Sequence, residues 1–334
     1  MTMFSPRLIY IFLMLILLNA CAHPGFNQYP LSKGYPNYRI LPQEISNLSH
    51  TNPELIRHRI IGFSQEEKLP IYVIEVGSGE RNILLIGQHH GDEVLGTALT
   101  MHLSRRLVQR KKEERVAKLL DEYTLWIIPS INPDAWQMVV DGAARIKRKN
   151  NRDTDANGKL DVRTDGVDLN RNYPIFWDLD QETNVLSPFY KGTAPASEAE
   201  VQAVISFGRK VDFELAIFYH SSATGSLNEK IFLPAVQNRD ERFERLEEIA
   251  DFYAKQLPRD YFKGSYTLHR GLSSKVGNAR NFFYHGLETD AMLVEIGGIN
   301  KDGRSIIHPP DKILRKILKR QEKAFINLLE YLLR

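Results

Sequence analysis

The sequence predicts one α/β domain built on a largely parallel sheet with helices laid over it. Three observations lead there. Apolar runs of strand length alternate with longer segments whose apolar residues recur at helical spacing. The central runs are apolar throughout, as strands buried on both faces are. No internal repeat and no change of composition after residue 50 marks a second domain.

Residues 22–50 are rich in Pro, Tyr, Asn, Ser and Gly without sustained periodicity, and 21–50 reads as a tether or edge segment ahead of a domain spanning 51–334. Residues 69–76 and 82–87 read as strands, the second continuous enough to be central. Residues 93–109 carry Leu95, Leu99, Leu103 and Leu107 at helical spacing. Residues 123–129 form another buried strand. A helix opens at Ser197, with Glu200 three residues on in a capping-box pattern. Strands at 213–219 and 291–295 flank a helix at 241–256, and an amphipathic helix at 313–333 closes the chain. The sparsely apolar stretch 141–189 is long for a compact domain, and loops of that length tend to be functional.

The first 20 residues read as a targeting segment. Arg7 supplies a positive start, and the apolar run at 8–18 is shorter than the ~20 residues a membrane span needs. It ends in Leu18-Asn19-Ala20-Cys21, which resembles the bacterial lipobox, and Cys21 is the one cysteine of the chain. That resemblance implies lipidation of Cys21 and a membrane-anchored protein of the bacterial cell envelope. Ala22 after the cysteine favours the periplasmic face of the outer membrane. No disulfide is then available to the mature domain. The net charge is +3, with Lys and Arg interleaved among Asp and Glu, so nucleic acid is not an expected partner.

Two segments carry most of the chemistry. His90-Gly91-Asp92-Glu93 sets an imidazole and a carboxylate three residues apart, on one side of a helical turn, and zinc accepts both ligand types. Gly166-Val167-Asp168-Leu169-Asn170-Arg171-Asn172 offers an amide beside a guanidinium, suited to gripping a carboxylate. A catalytic zinc needs a third protein ligand, and His220 follows an apolar strand where such a ligand belongs. Glu295 ends another apolar strand, where a carboxylate is costly without work or a partner.

His-x-x-Glu, Gly-Val-Asp-Leu-Asn-Arg-Asn, a His followed by Ser, and a strand-end Glu, in this order and spacing, resemble the zinc carboxypeptidase family typified by carboxypeptidase A. Gly192-Thr193-Ala194-Pro195-Ala196-Ser197-Glu198 adds to the resemblance, which runs from about Gly62 to Glu295. It implies a three-layer α/β/α sandwich with a mixed, largely parallel central sheet, and one Zn2+ per chain held by His90, Glu93 and His220. The His₂Glu ligand set is the carboxypeptidase A example of a general rule. The resemblance also implies Asp168 behind His90, Glu295 as the proton-transferring base, and Asn170 and Arg171 on the substrate's terminal carboxylate. An oxyanion arginine is implied as well; Arg148 and Arg152 both stand where it belongs, with Arg148 preferred. His89 is expected to be a packing neighbour, and Arg145, Lys147 and Lys149 a solvated basic face.

Two positions depart from the family pattern. Its mobile tyrosine falls here on Leu272-Ser273-Ser274, leaving Tyr266, His269 and Tyr284 as nearby replacements. The base of its side-chain pocket falls near Arg280, which turned inward would favour an acidic side chain or a second carboxylate. Within the long stretch, Asp153, Asp155, Asn157 and Asp161, with Gly158 at the sixth position, resemble a calcium loop, so Ca2+ is a second candidate ion. Residues 83–93 and 166–174 are most similar to bacterial murein-peptide amidases, which implies peptidoglycan stem peptides as substrate. A general carboxypeptidase, an aspartoacylase-type deacylase and an envelope-binding lipoprotein without turnover are the alternatives.

Overall fold

Three strands buried along their whole length need neighbours on both faces and both edges, and the fold supplies them. The computed structural model describes residues 31, 33–222, 226–270, 274–297, 300, 302 and 305–334. The targeting segment and Cys21 lie outside the described residues, as do Leu272 and Ser273.

The chain runs α1 (Leu41–Thr51), β1 (Ile56–Phe63), β2 (Pro70–Gly77), β3 (Arg81–Ile86), α2 (Val94–Gln109), α3 (Glu114–Glu122) and β4 (Tyr123–Ile128). It continues through α4 (Pro133–Val140), α5 (Ala199–Gly208), β5 (Leu215–His220), β6 (Lys230–Phe232) and α6 (Glu241–Gln256). It ends with β7 (Thr267–His269), α7 (Ala279–Gly286), β8 (Asp290–Glu295) and α8 (Asp311–Leu332). One sheet holds all eight strands in the order β1-β2-β4-β3-β5-β8-β6-β7. The core pairs β4/β3, β3/β5 and β5/β8 are parallel. The pairs β1/β2, β2/β4 and β6/β8 are antiparallel, so the sheet is mixed. Strands β4, β5 and β8 are buried at every residue, matching their unbroken apolar sequence. Helices α2, α3 and α6 pack on α8, while α5 and α7 lie against β1, β5 and β8, giving the three layers. Among the described residues no helix is long and apolar enough to cross a membrane.

Chain order reverses at β3: the next strand, β4, lies on one side of it and β5 on the other. Open α/β sheets bind ligands at the carboxyl ends of the strands beside such a reversal. His90 and Glu93 follow the end of β3, His220 ends β5, and Glu295 ends β8, paired in register with His220.

Three expectations need correction. The 21–50 tether ends sooner: α1 starts at Leu41, and Tyr35, Tyr38, Leu41 and Ile45 are buried. Leu41, Ile45 and Leu48 lie one turn apart, a short helical stripe hidden in a polar composition. The capping box at Ser197 does not form. The helix begins at Ala199, Ser197 Oγ donates to Glu198 Oε1 at 2.7 Å, and Glu200 instead accepts the backbone N–H of Gln65. Lys147 and Lys149 are buried, not solvated. The Lys147 ammonium donates to the carbonyl of Asp165 at 2.9 Å, and that of Lys149 to the carbonyls of Thr164 and Val185.

Candidate active site

His90 and Glu93 belong to a tight turn, Glu93 N–H to His90 O at 3.1 Å, and not to a helix; α2 begins one residue later. The turn is held against β3 by glycine contacts: a Cβ on Gly96, in the first turn of α2, would lie 1.6 Å from the Gly87 carbonyl oxygen. The strand exit and the helix entry therefore approach as closely as backbone allows.

Three donor groups converge there. His90 Nδ1 lies 2.8 Å from Glu93 Oε1, His220 Nδ1 lies 2.8 Å from Glu93 Oε2, and the two imidazole nitrogens are 3.2 Å apart. All three residues are buried, and one atom of each falls within 4.8 Å of the others. Two nitrogens and a carboxylate on one point fit a zinc ion. Burial alone would raise the Glu93 carboxyl, but the two imidazoles reverse this and hold it below the usual range.

The outer ring nitrogen of His90 lies 3.1 Å from Asp168 Oδ1. Segments 148–150 and 166–168 run side by side, with Asn150 N–H donating to Val167 O at 3.0 Å and Val167 N–H to Asn150 Oδ1 at 2.8 Å. Gly166 makes that approach possible: its φ is +101°, and a Cβ would meet the Asn150 carbonyl oxygen at 2.0 Å. This pairing places Arg148 beside Asp168, facing the donor cluster.

Arg148 and Arg152 part company in space. Arg148 reaches Asp168 and lies 3.7 Å from Glu93 Oε1, lining the site; Arg152 turns away to Glu198 at 2.6 Å. Asn170, Arg171, Arg280 and Glu295 line the same cavity, of about 410 Å³. His89 packs beside the cluster, stacked on His220 at 5.3 Å with Nε2 on the Tyr173 hydroxyl.

Glu295 is buried, and among the described residues its Oε2 has no hydrogen-bond partner. Burial, then the nearby Glu93 charge, pushes its carboxyl up to about 8. A carboxyl in that range can take and return a proton near neutral pH. Arg280 is 6% exposed and has no hydrogen bond or ion pair among the described residues, its Nε being buried without a partner. Burial and the like charge of Arg171 lower its guanidinium to about 10.

None of the replacements for the family tyrosine lines the cavity. The Tyr266 hydroxyl accepts the Gly297 N–H at 2.7 Å, Tyr284 packs on the Arg242 guanidinium at 4.0 Å, and His269 packs on Phe232. In the long loop, Asp153 and Asp155 meet Asp165, which the calcium pattern did not include. Asn157 and Asp161 accept loop N–H groups of Lys159, Arg163 and Thr164, so the oxygen set expected of a calcium loop is not assembled. Sequence reasoning missed Phe189 and Asp92 in the cavity wall. The Phe189 ring lies 5.1 Å from the Arg148 guanidinium and 5.5 Å from that of Arg171. Its one signal was an aromatic side chain beside Tyr190-Lys191-Gly192 in a polar loop.

The sequence model described as zinc carboxypeptidase matches residues 41–320. This chain belongs to the zinc carboxypeptidase family. Among curated family relatives, metallocarboxypeptidase A of Trichophyton rubrum is 28% identical over 194 residues, 56% of this chain and 44% of the relative. Mast cell carboxypeptidase A of Rattus norvegicus is 30% identical over 182 residues, 52% of this chain and 42% of the relative. The chain thus spans less than half the length of these relatives. Among solved structures, carboxypeptidase A from Helicoverpa armigera superposes with a TM-score of 0.77 at 17% identity, covering 97% of this chain and 80% of its own. Bovine thrombin-activatable fibrinolysis inhibitor, solved with a tick carboxypeptidase inhibitor, gives 0.73 at 22% identity, covering 90% and 97%. The structural likeness establishes the zinc carboxypeptidase fold.

Proposed function

We propose that this protein is a zinc-dependent carboxypeptidase that cuts an amide bond next to a carboxyl-terminal residue bearing a second carboxylate, with peptidoglycan stem peptides as its natural substrates. The observation that carries the reading is the pairing of Glu295, buried beside the His90–Glu93–His220 cluster, with two separate arginines, Arg171 and Arg280, lining one cavity.

Zinc held by His90, Glu93 and His220 would supply a Lewis acid for a carbonyl oxygen and acidify a water. Asp168 would orient the His90 ring. Asn170 and Arg171 would hold the terminal carboxylate through charge-assisted hydrogen bonds. Arg280, without a hydrogen bond or ion pair among the described residues, would take the second carboxylate, as diaminopimelate offers one. Arg148 would donate to the carbonyl oxygen as charge develops there, where one donor is worth about 3 kcal/mol of barrier. Glu295 would take the proton from attacking water and pass it to the departing amine.

The peptidoglycan assignment is supported by the likeness of residues 83–93 and 166–174 to murein-peptide amidases. A lipid anchor at Cys21 would hold the enzyme at the envelope, and Cys21→Ser would release it into the soluble fraction. The deciding experiment incubates zinc-loaded protein with L-Ala-γ-D-Glu-meso-diaminopimelate and with ordinary peptides, using Glu295→Gln as control. Release of diaminopimelate by the wild type alone is the expected result. Cleavage of ordinary peptides only would remove the peptidoglycan substrate, and no cleavage of either would remove the peptidase.

A further inference from the structure

We infer that the outer face of α8 is a docking surface for the anionic headgroups of a lipid bilayer; from the reading above the inference takes only the lipid anchor at Cys21. Five residues of α8 are exposed, Lys312, Arg315, Lys316, Lys319 and Lys323, and every one is a cation. None of the five makes a hydrogen bond or ion pair among the described residues. Solvated helix faces ordinarily interleave both signs, so that side chains one turn apart attract. Here 312/316, 315/319 and 319/323 are like-charged pairs at that spacing, and such pairs repel. Lys312 also stands in the first turn, where a cation opposes the helix dipole. The face therefore costs the free protein stability, and a partner bringing negative charge would offset that cost.

The cationic surface continues beyond the helix. Arg315, Lys319 and Lys323 line a groove of about 730 Å³ together with Arg106, Arg110 and Arg115. The one carboxylate in its lining, Glu322, is buried and already shared by His102, Arg106 and Arg110. The whole chain carries only +3, so this charge is concentrated on one side.

Where the N-terminal segment joins the fold decides in favour of a membrane over a soluble polyanion. The Gly34 N–H donates to Asp311 Oδ1 at 3.1 Å, and the Tyr35 hydroxyl donates to the Pro309 carbonyl at 2.9 Å. The segment thus meets the domain at the start of α8, one residue before the first cation of the stripe. Ten residues lead from Cys21 to Leu31, where the described chain begins, and ten residues reach no more than about 35 Å. A lipid on Cys21 would hold the start of α8 within that distance of the bilayer and so raise the headgroup concentration that the stripe meets. From Lys312 to Lys323 the stripe extends about 17 Å along the helix, long enough to meet several headgroups at once. Each Lys or Arg brought to an anionic bilayer adds about fivefold to the partition.

The test places the full chain on vesicles of phosphatidylcholine, alone or with about one third phosphatidylglycerol, and reads acetylation of each lysine by a water-soluble reagent through mass spectrometry. On the anionic vesicles Lys312, Lys316, Lys319 and Lys323 are expected to react about fivefold or more slowly than on neutral ones. Lys210, exposed just beyond α5 in the other helix layer, should react equally on both. Raising salt from about 0.1 M to about 1 M should abolish the difference. The combined variant Lys312→Gln, Arg315→Gln, Lys316→Gln, Lys319→Gln and Lys323→Gln should bind anionic vesicles less and neutral ones unchanged, with its circular dichroism spectrum retained. Equal reactivity of the four lysines on both vesicles would overturn the docking face, as would equal slowing of Lys210. Slowing by soluble polyphosphate but not by vesicles would overturn it too and assign the face to an anionic polymer. Protection on anionic vesicles by a chain that does not bind neutral ones would keep the docking face and remove the anchor.

Discussion

Arg148 lies fork-first on Asp168: Nε and Nη2 both donate to Oδ2, at 3.0 and 2.8 Å. The other oxygen of that carboxylate faces His90 Nε2 and accepts the Asn170 N–H at 2.9 Å. Burial would raise this carboxyl, but Arg148 and His90 together hold it well below the usual range. One charge thus orients a donor imidazole and the neighbouring guanidinium. Asp168→Asn keeps the shape and removes the charge. It should lower zinc affinity by about 10–100-fold, measured by chelator competition, with the circular dichroism spectrum unchanged. Unaltered affinity would exclude Asp168 from control of the ion.

The two arginines that sequence left in competition should fail in different ways. Arg148→Ala is expected to lower kcat by about 10²–10³-fold, and it should also cost stability because it strips two hydrogen bonds from the fully buried Asp168. Arg152→Ala removes the cation paired with the fully buried Glu198, leaving it only the neutral donors Ser197 and Asn150, and should cost stability, roughly 3 kcal/mol in urea titration, with kcat retained. The reverse pattern would move the oxyanion role to Arg152.

Arg280 sets a preference that a neutral side chain should erase. Arg280→Leu is expected to lower kcat/KM for peptides ending in glutamate or diaminopimelate by about 10–100-fold. Peptides ending in leucine should gain relative to them. A parallel loss on all substrates would mean that Arg280 supports the fold and does not read the side chain.

Glu200 predicts a slope of stability against pH. It is fully buried, Oε1 accepts the Gln65 N–H at 3.0 Å, and Oε2 has no hydrogen-bond partner among the described residues. Burial, with Glu198 and Asp134 adding, raises its carboxyl to about 8. The unfolded chain releases that proton near pH ~4.3, so between there and about 8 the folded state holds more protons. Its stabilising share is full below the unfolded value and is lost as pH rises through the folded one. Glu200→Gln should therefore flatten the fall in urea midpoint between pH 6 and pH 8.5, gaining about 1–3 kcal/mol at the upper end. A parallel slope in the variant would show that Glu200 does not titrate in this window.

The sequence made legible whatever is written in local periodicity. Strands β3, β4, β5 and β8 announce themselves because burial on both faces demands uninterrupted apolar residues. Strands β6 and β7 are three residues each, too short for any period to register. Strand β1 has four exposed residues in a row, since it lies at the sheet edge. In the site, His90, Glu93, His220 and Glu295 could be found because ligands at strand ends keep a fixed order along the chain. The orientation of Arg148 could not, because it depends on the pairing of 148–150 with 166–168, set by Gly166 across the loop. Lys147 and Lys149 misled for a related reason: their partners are backbone atoms, which no residue type advertises.

Those two lysines bear on how this protein can change over generations. A clamp made to a main-chain oxygen does not read the side chain at the far end. Substitutions at 164 or 185 leave the oxygens that Lys149 grips, so the loop can drift in sequence there while its path past Arg148 persists; Asp165 is the exception, its carboxylate accepting from Thr154 and Asp161. The lysines themselves have no such freedom. Mutational tolerance should therefore be asymmetric across this contact, with an invariant cation on the short side and a permissive chain on the long one.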